Sequence, residues 1–379
     1  MVMQGNNNYT GVTTVSAGAI SIRNGNALGA GANNTVVSNG AALFIVGSGF
    51  LIPETIQIDG TGIGGNGVIW IPSTSGATTL SGAITTNTVA ASRINNDGTG
   101  LLTIGTAAFT NNGGITFGLN STGGVTVTSV IGGTSSTLSN LTKDGTGTGM
   151  LILSGANTYA GTTTITTGVL QVTNGTALGN TTGATSIASG AALEINGTLS
   201  IAEAMTINGT GLAATPGVIR LISGSGAPTL SGAITAATAS RINNDGTGLL
   251  TIGTAAFTNT GGISFGLNST GGITVSSVIS AAGGVTKDGT GTGRLILGGA
   301  NIYTGLTTIS TGVIQITNSD GLGSVSAGGA GSSNTIVSDG AALEINVASG
   351  TIVPETLNIY GLGFVETNAN GAIRMISVS

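Results

Sequence analysis

One stretch of this chain occurs three times. Met1 to Ile22 reads MVMQGNNNYTGVTTVSAGAISI, Leu151 to Val172 reads LILSGANTYAGTTTITTGVLQV, and Leu295 to Ile316 reads LILGGANIYTGLTTISTGVIQI. Each copy holds two short apolar runs of alternating character, separated by an Asn-x-Tyr-x-Gly turn. A third run follows Gly18, Gly168 or Gly312. Three strands joined by glycine-marked corners make about one coil of a β-solenoid. One coil cannot bury its own inward face, so such coils must stack.

The recurrence extends beyond that stretch. Ser92 to Gly100 (SRINNDGTG) returns as Ser240 to Gly248, and Thr142 to Gly149 (TKDGTGTG) returns as Thr286 to Gly293. Gly40-Ala41-Ala42-Leu43 returns at Gly190 and at Gly340. The chain reads as about 2.5 long repeats of roughly 145–150 residues, covering 1–150, 151–294 and, in part, 295–379. Within them the apolar triplets recur every ~20–25 residues, the size of a single coil. The expected fold is all-β, a parallel β-solenoid running continuously over 1–379, with no helix. Pro, Gly and β-branched residues cut every helical candidate. Pro53 cannot donate to a ladder and is expected at a corner or strand start. In such a stack, Val, Ile and Leu form continuous interior columns. Asparagines at the turns can form side-chain amide ladders.

Glycine is 70 of 379 residues and only 6% are charged, a composition also found in disordered chains. Disorder, however, goes with low hydrophobicity and high net charge. Here 39% of residues are hydrophobic and the net charge is −5, so ordered β structure is the better reading. With no Cys and no His, disulfides, thiolate metal sites and the commonest general base are all excluded. The weak acidity, with Lys143 and Lys287 as the only lysines, argues against a nucleic-acid partner. Met1-Val2-Met3-Gln4 shows neither the basic nor the apolar part of a signal peptide. No membrane span is visible, because Gly, Asn and Thr interrupt the uncharged stretches every few residues.

At the recurring stretch the chain resembles a known family. SGANTYAGTTTITTGVLQV, led in by Lys143-Asp144-Gly145-Thr146-Gly147, is similar to the autotransporter-associated β-strand repeat, or passenger-associated transport repeat, of bacterial type V secretion passengers. The resemblance implies a right-handed parallel β-helix and display on the bacterial outer surface or release outside the cell. It supplies no catalytic residues and no cofactor.

Several residue sets invite a chemical reading. Glu54, Glu203 and Glu355 occupy equivalent positions, as do Glu194 and Glu344 where the first repeat has Phe44. A glycosidase needs two carboxylates at a fixed short separation; single repeated acids read better as exposed solubilising positions. Arg93 and Arg241 precede Asp97 and Asp245 by four residues, and Lys143-Asp144 recurs as Lys287-Asp288. These sets suggest local ion pairs or capped corners; a calcium cage needs more carboxylates than Asn95, Asn96 and Asp97 supply. No catalytic, cofactor or metal residue is therefore assigned. Phe109, Phe117, Phe257 and Phe265 are expected in the core. Tyr9, Tyr159 and Tyr303 are expected to pack over a corner with wet hydroxyls. Trp70 stands where later repeats have Arg220 and Arg374, so it should face outward, and it is the one candidate ligand contact.

Three functions are compatible with this reading. The first is a non-catalytic surface or extracellular stalk or fibre, associating with itself end to end because the first and last strands align with ordinary interior strands. The second is an adhesin that contacts surface glycans or host or matrix proteins. The third, a β-helical polysaccharide lyase or hydrolase, would require one coil decorated unlike its neighbours.

Overall fold

A computed structural model describes residues 1–29, 34–88, 90–105, 107–324, 334–349, 351–365 and 371–376. The chain is an all-β parallel solenoid of about 15 turns. It divides into two compact units, Met1–Ser186 and Ile187–Ser379. Among the described residues the helical content is a single 3-10 turn, Ile63–Gly65.

Within the first unit the interior strands pair in parallel with the strand one coil earlier and the strand one coil later. Strand Ser92–Asn96 pairs with Ile69–Ile71 on one side and Ile115–Leu119 on the other. A second face stacks Phe50–Ile52, Thr78–Leu80, Leu102–Ile104, Val125–Val127 and Leu151–Leu153. A third stacks Asn34–Val37, Thr55–Ile58, Ile84–Thr86 and Phe109–Asn111. The second unit repeats the scheme, for instance Ile219–Leu221, the long strand Ile234–Asn244, Ile263–Leu267 and Val285–Asp288.

The side-chain alternation of the strands sends every second residue inward. In register, Leu43, Ile69, Ile94 and Phe117 make one interior column, all essentially inaccessible. Leu193, Ile219, Ile242 and Phe265 are its counterpart in the second unit. Ile165 lies in the core, as do Phe109, Phe117, Phe257 and Phe265, as the alternation requires. Phe109 and Phe117 meet edge to face with centroids 6.3 Å apart.

The corners fall where glycine allows them. Gly18, Gly168 and Gly312 have φ of 70°, 70° and 68°, the left-handed region that disfavours any Cβ. Pro53 sits at the corner between Phe50–Ile52 and Thr55–Ile58, so its missing N–H costs no ladder bond.

Candidate functional site

The recurring Asn-x-Tyr-x-Gly turn is held by side-chain bonds to neighbouring coils. Asn157 accepts from the Ile131 N–H at 2.8 Å and donates to the Ala177 carbonyl at 2.6 Å. One side chain thus ties its own turn to the coil before and the coil after. Asn301 repeats both bonds with Ile279 and Gly321, and Asn7 repeats the second with Ala27. These asparagines bond backbone groups rather than one another.

The tyrosines correct one expectation. Tyr159 and Tyr303 are fully buried, not capped by water. Each hydroxyl lies 2.6 Å from a threonine four residues on, Thr163 or Thr307, and that threonine donates to the carbonyl of Leu178 or Leu322. Burial pushes the Tyr303 phenol well above its ordinary range. The turn glycine follows from the crowding. A Cβ on Gly161 would come within 2.4 Å of the Ser139 backbone.

Of the two readings of the charged sets, ion pair or capped corner, the lysines take the second. Lys143 and Lys287 do not pair with the neighbouring Asp carboxylates. They continue the inward column after Phe117 and Phe265 and are wholly buried. Each ammonium donates to two corner carbonyls: Lys143 to Asp144 and Thr167, at 2.9 and 3.1 Å, and Lys287 to Asp288 and Thr311. Burial lowers both pKa values to about 8, against a smaller opposing pull from the adjacent aspartate.

The repeated glutamates are not solubilising surface residues either. Glu54 and Glu203 are 2% and 3% exposed, and Glu194 and Glu344 are buried as well. Desolvation raises the Glu54 pKa and pushes that of Glu203 up to about 8. Among the described residues, Glu54 Oε1 and the equally buried Thr35 hydroxyl have no hydrogen-bond partner. At the equivalent place in the third copy, Thr335 donates to Glu355 at 3.1 Å.

Arg93 and Asp97 do not form the four-residue pair either. Arg93 spans the intervening coil and grips both oxygens of Asp144, each at 2.8 Å, while its Nε donates to Asn95. Gly118 lies under this bridge: a Cβ there would sit 1.8 Å from the Asn95 side-chain oxygen and 2.2 Å from the guanidinium. Arg241, Asp288 and Gly266 repeat the arrangement.

Trp70 faces outward, half-buried, in register between Phe44 and Asn95. Its ring meets Phe44 edge to face at 4.8 Å, and Nε1 donates to Asp97 at 2.6 Å. The matching register pair in the second unit is Glu194 with Arg220, an ion pair, and Arg220 also reaches Asp245. Arg374 and Glu344 pair in the same way. The outward column therefore keeps one donor onto the corner aspartate and exchanges an acid–base pair for an aromatic pair.

The fold and its columns define a repeat-built parallel β-solenoid. Among the described residues no group of three or more acids could hold a metal, and no helix is long and apolar enough to cross a membrane. A family model, the passenger-associated-transport-repeat, matches residues 1–22, 141–172 and 285–316. Those segments contain the Asn7, Asn157 and Asn301 clasps, and the second and third also take in Lys143 and Lys287. No curated protein and no solved structure matches the chain.

The Tyr-to-Thr pairing, the glycines under the arginine bridge and the inward direction of the lysines are the structural positions that residue motifs alone missed. The first leaves a signal in the sequence: Tyr9/Thr13, Tyr159/Thr163 and Tyr303/Thr307 share one spacing.

Proposed function

We propose that this chain is a non-catalytic structural segment of a bacterial surface passenger, whose role is to form a stiff stalk or fibre outside the cell. One observation carries the reading. The side chains most able to do chemistry are engaged in holding the wall together: Arg93 is closed on Asp144 and Lys143 reaches the Thr167 carbonyl, both across coils, and Tyr159 is closed on Thr163 within its own coil. The three family-model matches support export to the outer surface. A lyase or hydrolase is less well supported, since Glu54 and Glu203 lie inside the wall, away from any substrate.

The test is display of the chain on a Gram-negative host, fused to a translocator. Antibody labelling and protease shaving of intact cells, with electron microscopy of the released segment, should show an exposed, protease-resistant, elongated particle. Retention inside the cell, or a collapsed and protease-labile product, would refute it.

A second reading, an adhesin, is favoured by one feature. The outward Phe44–Trp70 pair replaces what is an ion pair elsewhere, and Trp70 is our candidate ligand contact. Loss of cell or matrix adhesion in Trp70→Ala, with unchanged display, would establish it; undiminished adhesion would remove it.

A further inference from the structure

A shallow groove occurs in each unit at matching places. In the first it is bounded by Ala91, Gly114, Thr116, Leu138 and Thr142 and has a volume of about 340 Å³. In the second it is bounded by Ala239, Gly262, Ser264, Thr286 and Leu306 and has a volume of about 370 Å³.

The two grooves share most of their construction, although Leu138 precedes the strand of Thr142 and Leu306 that of Thr308, one coil beyond Thr286. The floor is backbone, since Gly114 and Gly262 share a φ of 93° and present no side chain. Along one side runs a row of hydroxyls in strand register: Thr116 and Thr142 in the first unit, and Ser264, Thr286 and Thr308 in the second. Successive hydroxyls are therefore one strand apart, about 4.8 Å. An aliphatic side chain, Leu138 or Leu306, is exposed at the groove, at 43% in each case.

This lining selects its occupant by exclusion as well as by fit. Neither groove is lined by an ionisable side chain. The nearest cations, Arg93 and Arg241, are each held bidentate by an aspartate. An anionic polymer or nucleic acid thus finds no free charge. A peptide adding as a strand needs an unpaired sheet edge, and strand Ser92–Asn96 is bonded on both sides. An apolar ligand would meet a surface that is half hydroxyl and backbone. A pyranose chain meets all the requirements, with hydroxyl edges for the threonine row and a C–H face for the leucine.

We propose that the two grooves are binding sites for a neutral polysaccharide lying in extended form across successive coils. This goes beyond a structural role and does not depend on Trp70.

The experiment uses the full 379-residue protein on immobilised polysaccharides. The neutral probes are glucan, mannan, xylan and galactan; polygalacturonate and heparin are the charged ones. At least one neutral polymer should be retained, and raised salt should leave the retention unchanged. Ala91 and Ala239 are exposed, so Ala91→Trp and Ala239→Trp should fill the grooves without entering the core. Each should weaken binding, and together they should weaken it at least about tenfold, the equivalent of ~1.4 kcal/mol. Thr142→Val with Thr286→Val should weaken it several-fold, and Trp70→Ala should leave it unchanged. Circular dichroism and melting of each variant check that the fold persists. Retention of charged polymers alone, loss of retention in salt, or full binding by the folded double tryptophan variant would each overturn the proposal. So would the retention of no neutral polymer, an outcome that leaves surface display and stiffness unaffected.

Discussion

Arg93 and Asp144 are 51 residues apart in sequence and joined by two parallel hydrogen bonds across an intervening coil. The bridge passes over Gly118, and its copy passes over Gly266. Bidentate charge-assisted pairs are among the stronger side-chain interactions. Asp144→Asn should cost about 1–3 kcal/mol. Gly118→Val should cost at least as much, because its side chain occupies the path of the guanidinium. Urea melts of the single and double variants check this: coupling near zero between Arg93→Met and Asp144→Asn would mean the bridge is ornamental.

Stability should pass through a minimum near pH 8. The Glu203 pKa is raised from 4.5 to about 8, so the fold keeps a proton that the unfolded chain releases, and stability falls between those values. The Lys143 and Lys287 pKa values are lowered from 10.5 to about 8. Between pH 8 and 10.5 the unfolded chain holds the extra protons, so stability rises. Each group contributes a slope of up to about 1.4 kcal/mol per pH unit. Melting temperature against pH should show both limbs. Glu203→Gln should flatten the acid limb, and Lys143→Met with Lys287→Met the alkaline one; a monotonic profile would contradict the assignment.

Tyr159→Phe should cost about 1 kcal/mol, since it removes one buried hydroxyl bond while Thr163 keeps its bond to the Leu178 carbonyl. Asn157→Ala should cost more, about 2–3 kcal/mol, because the Ile131 N–H and the Ala177 carbonyl both lose their bond. Denaturant melts rank the two variants; an Asn157→Ala cost near zero would show that the amide clasp adds nothing.

Much of the fold was legible in the sequence. Strand alternation and glycine corners placed the walls, and Ile165 faces inward as its Thr-Thr-Ile-Thr setting implies. The same alternation bears on the charges. In Leu141-Thr142-Lys143-Asp144, Lys143 shares the inward parity of Leu141. In Glu54-Thr55-Ile56, Glu54 shares that of Ile56. Charge argued for the surface and parity for the interior, and parity prevailed because corner carbonyls were there to receive the lysine. The partner of Arg93 was not legible: a contact two coils away depends on coil length and on the opening left by Gly118, not on local spacing.

The Phe44–Trp70 pair should be exchangeable. Phe44→Glu with Trp70→Arg recreates the Glu194–Arg220 register pair, with Asp97 in the place of Asp245. The double variant should melt close to the parent. Phe44→Glu alone should be worse by about 0.5–1.5 kcal/mol, the worth of an aromatic contact. A double variant no better than the sum of its singles would show that the two columns differ in more than these side chains.

The asparagine clasp also bears on how a unit would fail under tension. Backbone bonds between coils run along the stacking direction, so a pull along that direction opens them one coil at a time. Asn157 lies outside the strands and holds the coil ahead and the coil behind, so a tear arriving there must break side-chain anchors as well as ladder rungs. Each recurring turn would then act as a rip-stop, and force-extension traces should show their highest peaks at the coils that carry one.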